Sequence, residues 1–200
     1  MTVTHKQAKG SDTVPFAISL RGVEKTFGAV CANHNIDLDI CTGDIHGIIG
    51  ENGAGKSTLV SILYGFYRAD AGTIRVFGKE RTLRSTADAI AAGIGMVHQH
   101  FMLVPTFTVL ENIILGHEGT ESLAKGFEAA RVELAQLAAR YGLDVDLDAV
   151  IEDFPVGLQQ RVEILKALYR GANILILDEP TGVLTPQETD QLFDILRALK

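Results

Sequence analysis

The segment Gly50-Glu51-Asn52-Gly53-Ala54-Gly55-Lys56-Ser57 limits what this chain can fold into more than any other. It has the pattern G-x-x-x-x-G-K-[ST]. The glycines let successive backbone N–H groups turn inward and form a concave nest for phosphate oxygens. An apolar run at 45–49 precedes the loop and reads as a short strand. Leu59, Val60, Ile62 and Leu63 predict an apolar helix over 57–64. The positive end of that helix points at the nest. Lys56 then reaches the β- and γ-phosphates, and the Ser57 hydroxyl is suited to ligate Mg²⁺. A mere glycine-rich turn with an exposed lysine would need neither flanking element.

The other half of such a site is an acidic residue ending a buried strand. The run Ile174-Leu175-Ile176-Leu177 reads as a strand buried on both faces, and Asp178-Glu179 follows it. Asp178 is expected to hold Mg²⁺, directly or through water. Glu179 is the natural base or polariser for an attacking water.

The rest of the chain is consistent with one α/β unit. Its 200 residues suffice for one sizeable domain or two small ones. With 46% hydrophobic and 22% charged residues, it is neither disordered, collagen-like nor a disulfide scaffold. A net charge of -7 lacks the basic surplus that phosphate neutralisation requires, so no nucleic-acid partner is expected. Cys31 and Cys41 form no C-x-x-C pair and read as free thiols that serve packing, with a disulfide as the less favoured reading. Residues 1–14 form a polar tail without the apolar core of a secretory signal. No run approaches the ~18 apolar residues of a membrane span, so work at a membrane would require docking onto something there.

Alternation through Phe16, Ile18, Leu20, Ile36, Leu38 and Ile40 predicts half-buried antiparallel strands. Thr42-Gly43-Asp44 reads as a turn. Strands are expected at 73–77 and 94–97, with a helix at 85–92. From about 101 the pattern changes. Thr108-Val109-Leu110-Glu111 fits a capping box, and Phe127, Ala130, Leu134, Leu137 and Tyr141 line one helical face. This stretch reads as a helical insertion. The core resumes with a helix at 159–169 and a strand at 173–177. Thr185, Pro186 and Glu188 start a last helix. Together these elements predict a mostly parallel sheet.

The two motifs and what lies between them resemble the ATP-binding domain of ABC transporters. Phe27 stands where that family stacks an aromatic residue on adenine, and Gln99 stands at the Q-loop glutamine. Phe154-Pro155-Val156-Gly157-Leu158-Gln159-Gln160-Arg161 aligns with the family signature, and Gly182-Val183-Leu184-Thr185 with the D-loop. The resemblance covers residues 16–200. It implies an α/β fold: a P-loop NTPase (RecA-like) core with an N-terminal antiparallel β subdomain and a helical insertion. The ATP-binding domain would span 15–200, with the helical subdomain at about 101–156.

The resemblance further implies ATP and Mg²⁺ as ligands. Nucleotide contacts would come from Phe27, Gly50, Glu51, Asn52, Gly53, Ala54, Gly55, Lys56, Ser57 and Thr58. Ser57, Gln99 and Asp178 would serve the metal, with Glu179 and Gln99 in catalysis. The segment from His98 to Pro105 and the run from Val156 to Leu168 look like the first half of tandem ATPases that power bacterial import of nucleosides or simple sugars. Expected partners are a second ATP-binding domain in a longer chain, membrane permease subunits and, indirectly, a solute-binding protein. The expected location is the cytoplasmic face of the cell membrane, as a peripheral subunit. The family's switch histidine would fall beyond Lys200, so the chain reads as C-terminally truncated.

There are departures from the pattern. Pro155 replaces the signature serine and offers neither hydroxyl nor N–H. Leu158 replaces a glutamine, and Thr185 an aspartate. In that family ATP sits between the cradle of one domain and the signature of the other, so the opposite site is expected to be weak. A soluble ABC ATPase of translation or DNA repair is the alternative, but it would carry a charged arm after Gln99. A third reading is a nucleotide-binding module that does not hydrolyse, which Glu179 argues against.

Overall fold

The computed structural model describes residues 16–116 and 123–200, so the polar tail expected at 1–14 lies outside the described residues. Strands β1 (Phe16–Phe27) and β2 (Val30–Cys41) form an antiparallel hairpin, and β3 (Ala71–Val76) and β4 (Lys79–Arg81) extend it in the order β2-β1-β3-β4. The alternation noted above has a direct cause. Ile18, Leu20 and Val23 of β1 pack against Ile74 and Val76 of β3 and against Leu59, Ile62 and Leu63 of helix α1 (Lys56–Leu63).

Helix α2 (Thr86–Ala91) leads into β5 (Ile94–Val97), which pairs in parallel with β6 (Ile174–Leu177) to form a separate two-stranded sheet. Between them come α3 (Val109–Ile114), α4 (Leu123–Tyr141) and α5 (Val156–Tyr169), and α6 (Pro186–Leu199) ends the chain. Ala130 and Leu134 of α4 join Ile113, Ile164, Leu165 and Leu192 in a second core. Each fully buried Leu or Ile contributes about 1.5–3 kcal/mol, against about 1 kcal/mol for a threonine cap. Packing therefore holds these helices together, and the caps set where they begin.

Both predicted capping boxes form. Thr108 Oγ1 accepts from the Glu111 N–H at 3.2 Å, while Glu111 Oε2 accepts from the Thr108 N–H at 2.8 Å. Thr185 and Glu188 repeat the exchange at 3.3 and 2.9 Å. Glu188 does more: its Oε1 accepts from the Gly157 N–H at 3.2 Å. Helix α5 starts at Val156, earlier than the expected 159, so the signature-like residues form its first turn. Its N-cap, Pro155, has no capping side chain, and Glu188 supplies the acceptor from another helix.

Three expectations need correction. Residues 45–49 carry no strand: no ladder includes them among the described residues, and Ile45 and Ile49 are exposed while Ile48 packs on the first core. An apolar run becomes a strand only when a neighbour pairs its backbone groups. β6 is half-buried along its whole length, because β5 is its only ladder partner among the described residues. The parallel sheet is therefore smaller than the antiparallel one. Cys31 and Cys41 are free thiols as expected, but Cys31 is exposed and fills no core.

Candidate functional site

The phosphate loop is built by backbone geometry. Gly53 and Gly55 adopt left-handed conformations with φ 80 and 84, and the Ala54 N–H closes a turn onto Glu51 O at 3.1 Å. Gly55 O accepts from the Leu59 N–H at 3.0 Å and so starts α1. A Cβ on Gly55 would collide with the Ala32 carbonyl, so β2 presses directly on the loop. Gly50, Glu51, Asn52, Gly53 and Ser57 are exposed, while Ala54, Gly55, Lys56 and Thr58 are half-buried. Lys56 Nζ folds back and donates to Gly50 O at 2.6 Å and Glu51 O at 2.8 Å. Anionic oxygens form stronger bonds to an ammonium than these neutral carbonyls do.

The acidic pair sits at the end of the parallel sheet. The Asp178 N–H donates to Val97 O at 3.1 Å, prolonging the β5–β6 ladder by one residue. Val97 pairs with Leu177 in that ladder, so Gln99 and Glu179 leave the same sheet end two residues later. They meet: Gln99 Nε2 donates to Glu179 Oε2 at 3.1 Å. Glu179 has φ 48, a left-handed conformation costly for a residue with a Cβ. The Gly182 N–H donates to its carbonyl at 3.2 Å and closes the turn. The buried Gln160 donates to Pro180 O at 2.9 Å, tying α5 to this turn. Ser57 and Asp178 form no mutual hydrogen bond among the described residues.

No group of three or more His, Cys, Asp or Glu side chains among the described residues could hold a metal unaided. The donors on offer, the Ser57 hydroxyl, the Asp178 carboxylate and the Gln99 amide oxygen, are hard oxygens. They suit Mg²⁺, which binds through one or two protein oxygens plus phosphates and water.

Phe27 ends β1 with its ring half exposed. The Tyr67 ring meets it edge-on at 5.1 Å, and Lys25 Nζ lies 5.3 Å from its centroid. Lys25 is clipped to Asp70 Oδ1 at 2.7 Å, and Asp70 Oδ2 accepts from the Thr26 N–H at 2.8 Å. The Lys25 bond, then the Thr26 N–H, hold the Asp70 carboxyl below its ordinary 3.8. A carboxylate with a lowered folded pKa stabilises above its unfolded pKa, and that contribution fades as pH falls through the folded value. Between about pH 5 and about pH 2, wild type should therefore lose more thermal stability than Asp70→Asn does. Parallel loss in the two proteins would show that the clip contributes nothing.

Next to Gln99 lies a cavity of about 330 Å³, lined by Tyr64, Phe66, His98, Met102, Glu163 and Lys166 among others. The buried Glu163 accepts from the Met102 N–H at 2.9 Å, and Lys166 Nζ donates to Met102 O at 3.0 Å. Burial pushes the Lys166 ammonium down from its ordinary value, and Glu163 opposes that shift. His98 packs its ring 5.7 Å from Tyr64 and 5.6 Å from Phe66. The contacts of Asp70 with Lys25, of Gln160 with Pro180 and of Glu163 with Met102 could not be read from the sequence, since each joins residues far apart in the chain.

The ABC transporter family profile matches residues 33–182. The chain is 52% identical over 182 residues to the nucleoside import ATP-binding protein NupA of Lactococcus lactis subsp. cremoris (strain MG1363), covering 91% of this chain and 36% of NupA. It is 46% identical over 184 residues to the ribose import ATP-binding protein RbsA 1 of Burkholderia thailandensis, covering 92% of this chain and 36% of that protein. The chain thus spans little more than a third of the length of these curated relatives. The crystal structure of the ADP conformation of MJ1267, an ATP-binding cassette of an ABC transporter, matches with a TM-score of 0.80 at 26% identity, over 92% of this chain and 76% of that one.

Proposed function

The chain belongs to the ABC transporter family, and on that premise we propose that it works in the ATP-driven motor of an importer for nucleosides or simple sugars. Residues 15–200 act as one ATP-binding domain, with a helical subdomain at about 101–156. The nest at 50–58 binds the phosphates of ATP, Lys56 leaves its two carbonyls for them, and Phe27 stacks on the base. Mg²⁺, when bound, neutralises charge on the phosphates, with Ser57, Asp178 and Gln99 as its protein oxygens. Glu179 accepts a proton from the attacking water, and Gln99 orients the Glu179 carboxylate.

The observation that carries this reading is the Gln99–Glu179 hydrogen bond. It joins the proposed base to the segment that borders the 330 Å³ cavity. A half-apolar cavity edged by Lys166 and Glu163 suits a short helical segment of a membrane permease. Movement of such a segment would reach Glu179 through Met102 and Gln99. Among the described residues no helix is long and apolar enough to cross a membrane. Attachment to a permease, as a peripheral subunit on the cytoplasmic face, is the arrangement we propose. A second ATP-binding domain would face this one, and a solute-binding protein would act through the permease. Pro155, Leu158 and Thr185 make the two ATP sites unequal.

The test is phosphate release by the whole protein reconstituted with its permease in liposomes. Release should rise when a nucleoside or a simple sugar is supplied with its binding protein. Saturable MgATP binding with no response to either solute class would reject the importer role.

A further inference from the structure

Asn33 lies on β2 opposite Lys25 and is only 5% exposed. Its Nδ2 donates to Gly55 O at 3.1 Å, while its Oδ1 is buried with no hydrogen-bond partner. A half-satisfied buried amide is a net burden on a fold, and an apolar side chain of like size would pack there without the penalty. Stability therefore does not account for an amide at this position. Gly55 O already accepts the first bond of α1, from the Leu59 N–H at 3.0 Å. The Asn33 amide is a second donor to the same oxygen.

That oxygen belongs to the peptide plane joining Gly55 to Lys56. In a planar trans peptide the C=O and N–H point in opposite directions, so fixing one aims the other. Gly55 is the N-cap of α1 with φ 84, and it has no side chain with which to cap the helix. Like Gly50 and Gly53, it has the wide backbone freedom of a glycine. We infer that Asn33 is a positioning residue of the phosphate cradle: by holding Gly55 O it aims the Lys56 N–H into the nest. Because Phe27 and Val30 face each other at the closed end of the same hairpin, β2 then links the base platform to the phosphate loop. The inference rests on the proposed binding of phosphates at 50–58.

The experiment compares wild type, Asn33→Leu and Phe27→Ala in the whole protein, with MgATP and inorganic tripolyphosphate as calorimetric ligands. Asn33→Leu should melt at or above the wild-type temperature, yet bind both ligands about fivefold more weakly, the worth of one hydrogen bond. Phe27→Ala should weaken ATP alone. A purely structural Asn33 would give the reverse, a lower melting temperature with unchanged binding. If the leucine variant does not fold, Asn33→Ala removes the donor without adding bulk or charge, and should show the same loss of binding. A folded variant that binds both ligands within about twofold of wild type overturns the inference. Failure of wild type to bind either ligand overturns the inference and the ATP-site reading together, whereas binding by wild type with an indifferent Asn33 leaves that reading intact.

Discussion

Replacing Glu179 by glutamine is expected to lower the rate of ATP hydrolysis about 10²–10⁴-fold, the usual worth of a general base, with MgATP still bound. The structure explains why the change should be so selective. Glu179 is exposed, so an amide of the same size disturbs no core. Its Oε2 accepts from Gln99 Nε2, and the amide oxygen of a glutamine can accept the same bond. What disappears is the negative, basic oxygen that takes a proton from water. Single-turnover measurements on the reconstituted protein separate this step from nucleotide binding. Turnover near the wild-type rate in Glu179→Gln would move the base to another residue.

Lys56→Ala should weaken MgATP binding by about tenfold or more. Charge-assisted bonds are worth about 1.5–3 kcal/mol each, and tenfold corresponds to about 1.4 kcal/mol. Part of the gain is offset because Lys56, on binding, gives up the Gly50 O and Glu51 O that it holds in the free protein. The net effect should thus fall at the lower end for one bond, and higher if the ammonium engages two phosphate oxygens. Calorimetry at fixed ionic strength measures it. An unchanged affinity would remove the cradle assignment.

The parts of this molecule that were legible in the sequence are those whose meaning is local. The glycine spacing at 50–57 prescribes a nest whatever lies around it, and both capping boxes form as the Thr-x-x-Glu spacing requires. Hydrophobic alternation gave the β1–β2 hairpin for the same reason. Residues 45–49 look as strand-like as 174–177, yet only the latter form a ladder, because pairing is decided by a neighbour that periodicity does not contain. Pro155 is a local signal of the same kind: a proline suits the start of a helix, and α5 begins directly after it.

Asn33 could not be singled out by pattern. Its amide matters through Gly55, twenty-two residues on, and one asparagine in a strand resembles any other. The same holds for Asp70, which reaches back to Lys25, and for Glu163, which reaches Met102. Gln99 and Glu179 were each expected on their own, while their direct contact follows from the register of two parallel strands.

The shared acceptor at Glu188 restricts how this chain can vary. A Cβ added to Gly157 would stand 2.5 Å from Glu188 Oε1 and 2.9 Å from its Cγ and Cδ. A larger residue at 157 therefore pushes the end of the flexible Glu188 side chain aside, and α5 loses the acceptor of its Gly157 N–H, while Thr185 Oγ1 still accepts from the Glu188 N–H at the start of α6. The first turn of α5 thus depends on a side chain of α6, and a residue larger than glycine at 157 costs about one helix cap, about 1 kcal/mol, with the Thr185 cap of α6 left in place.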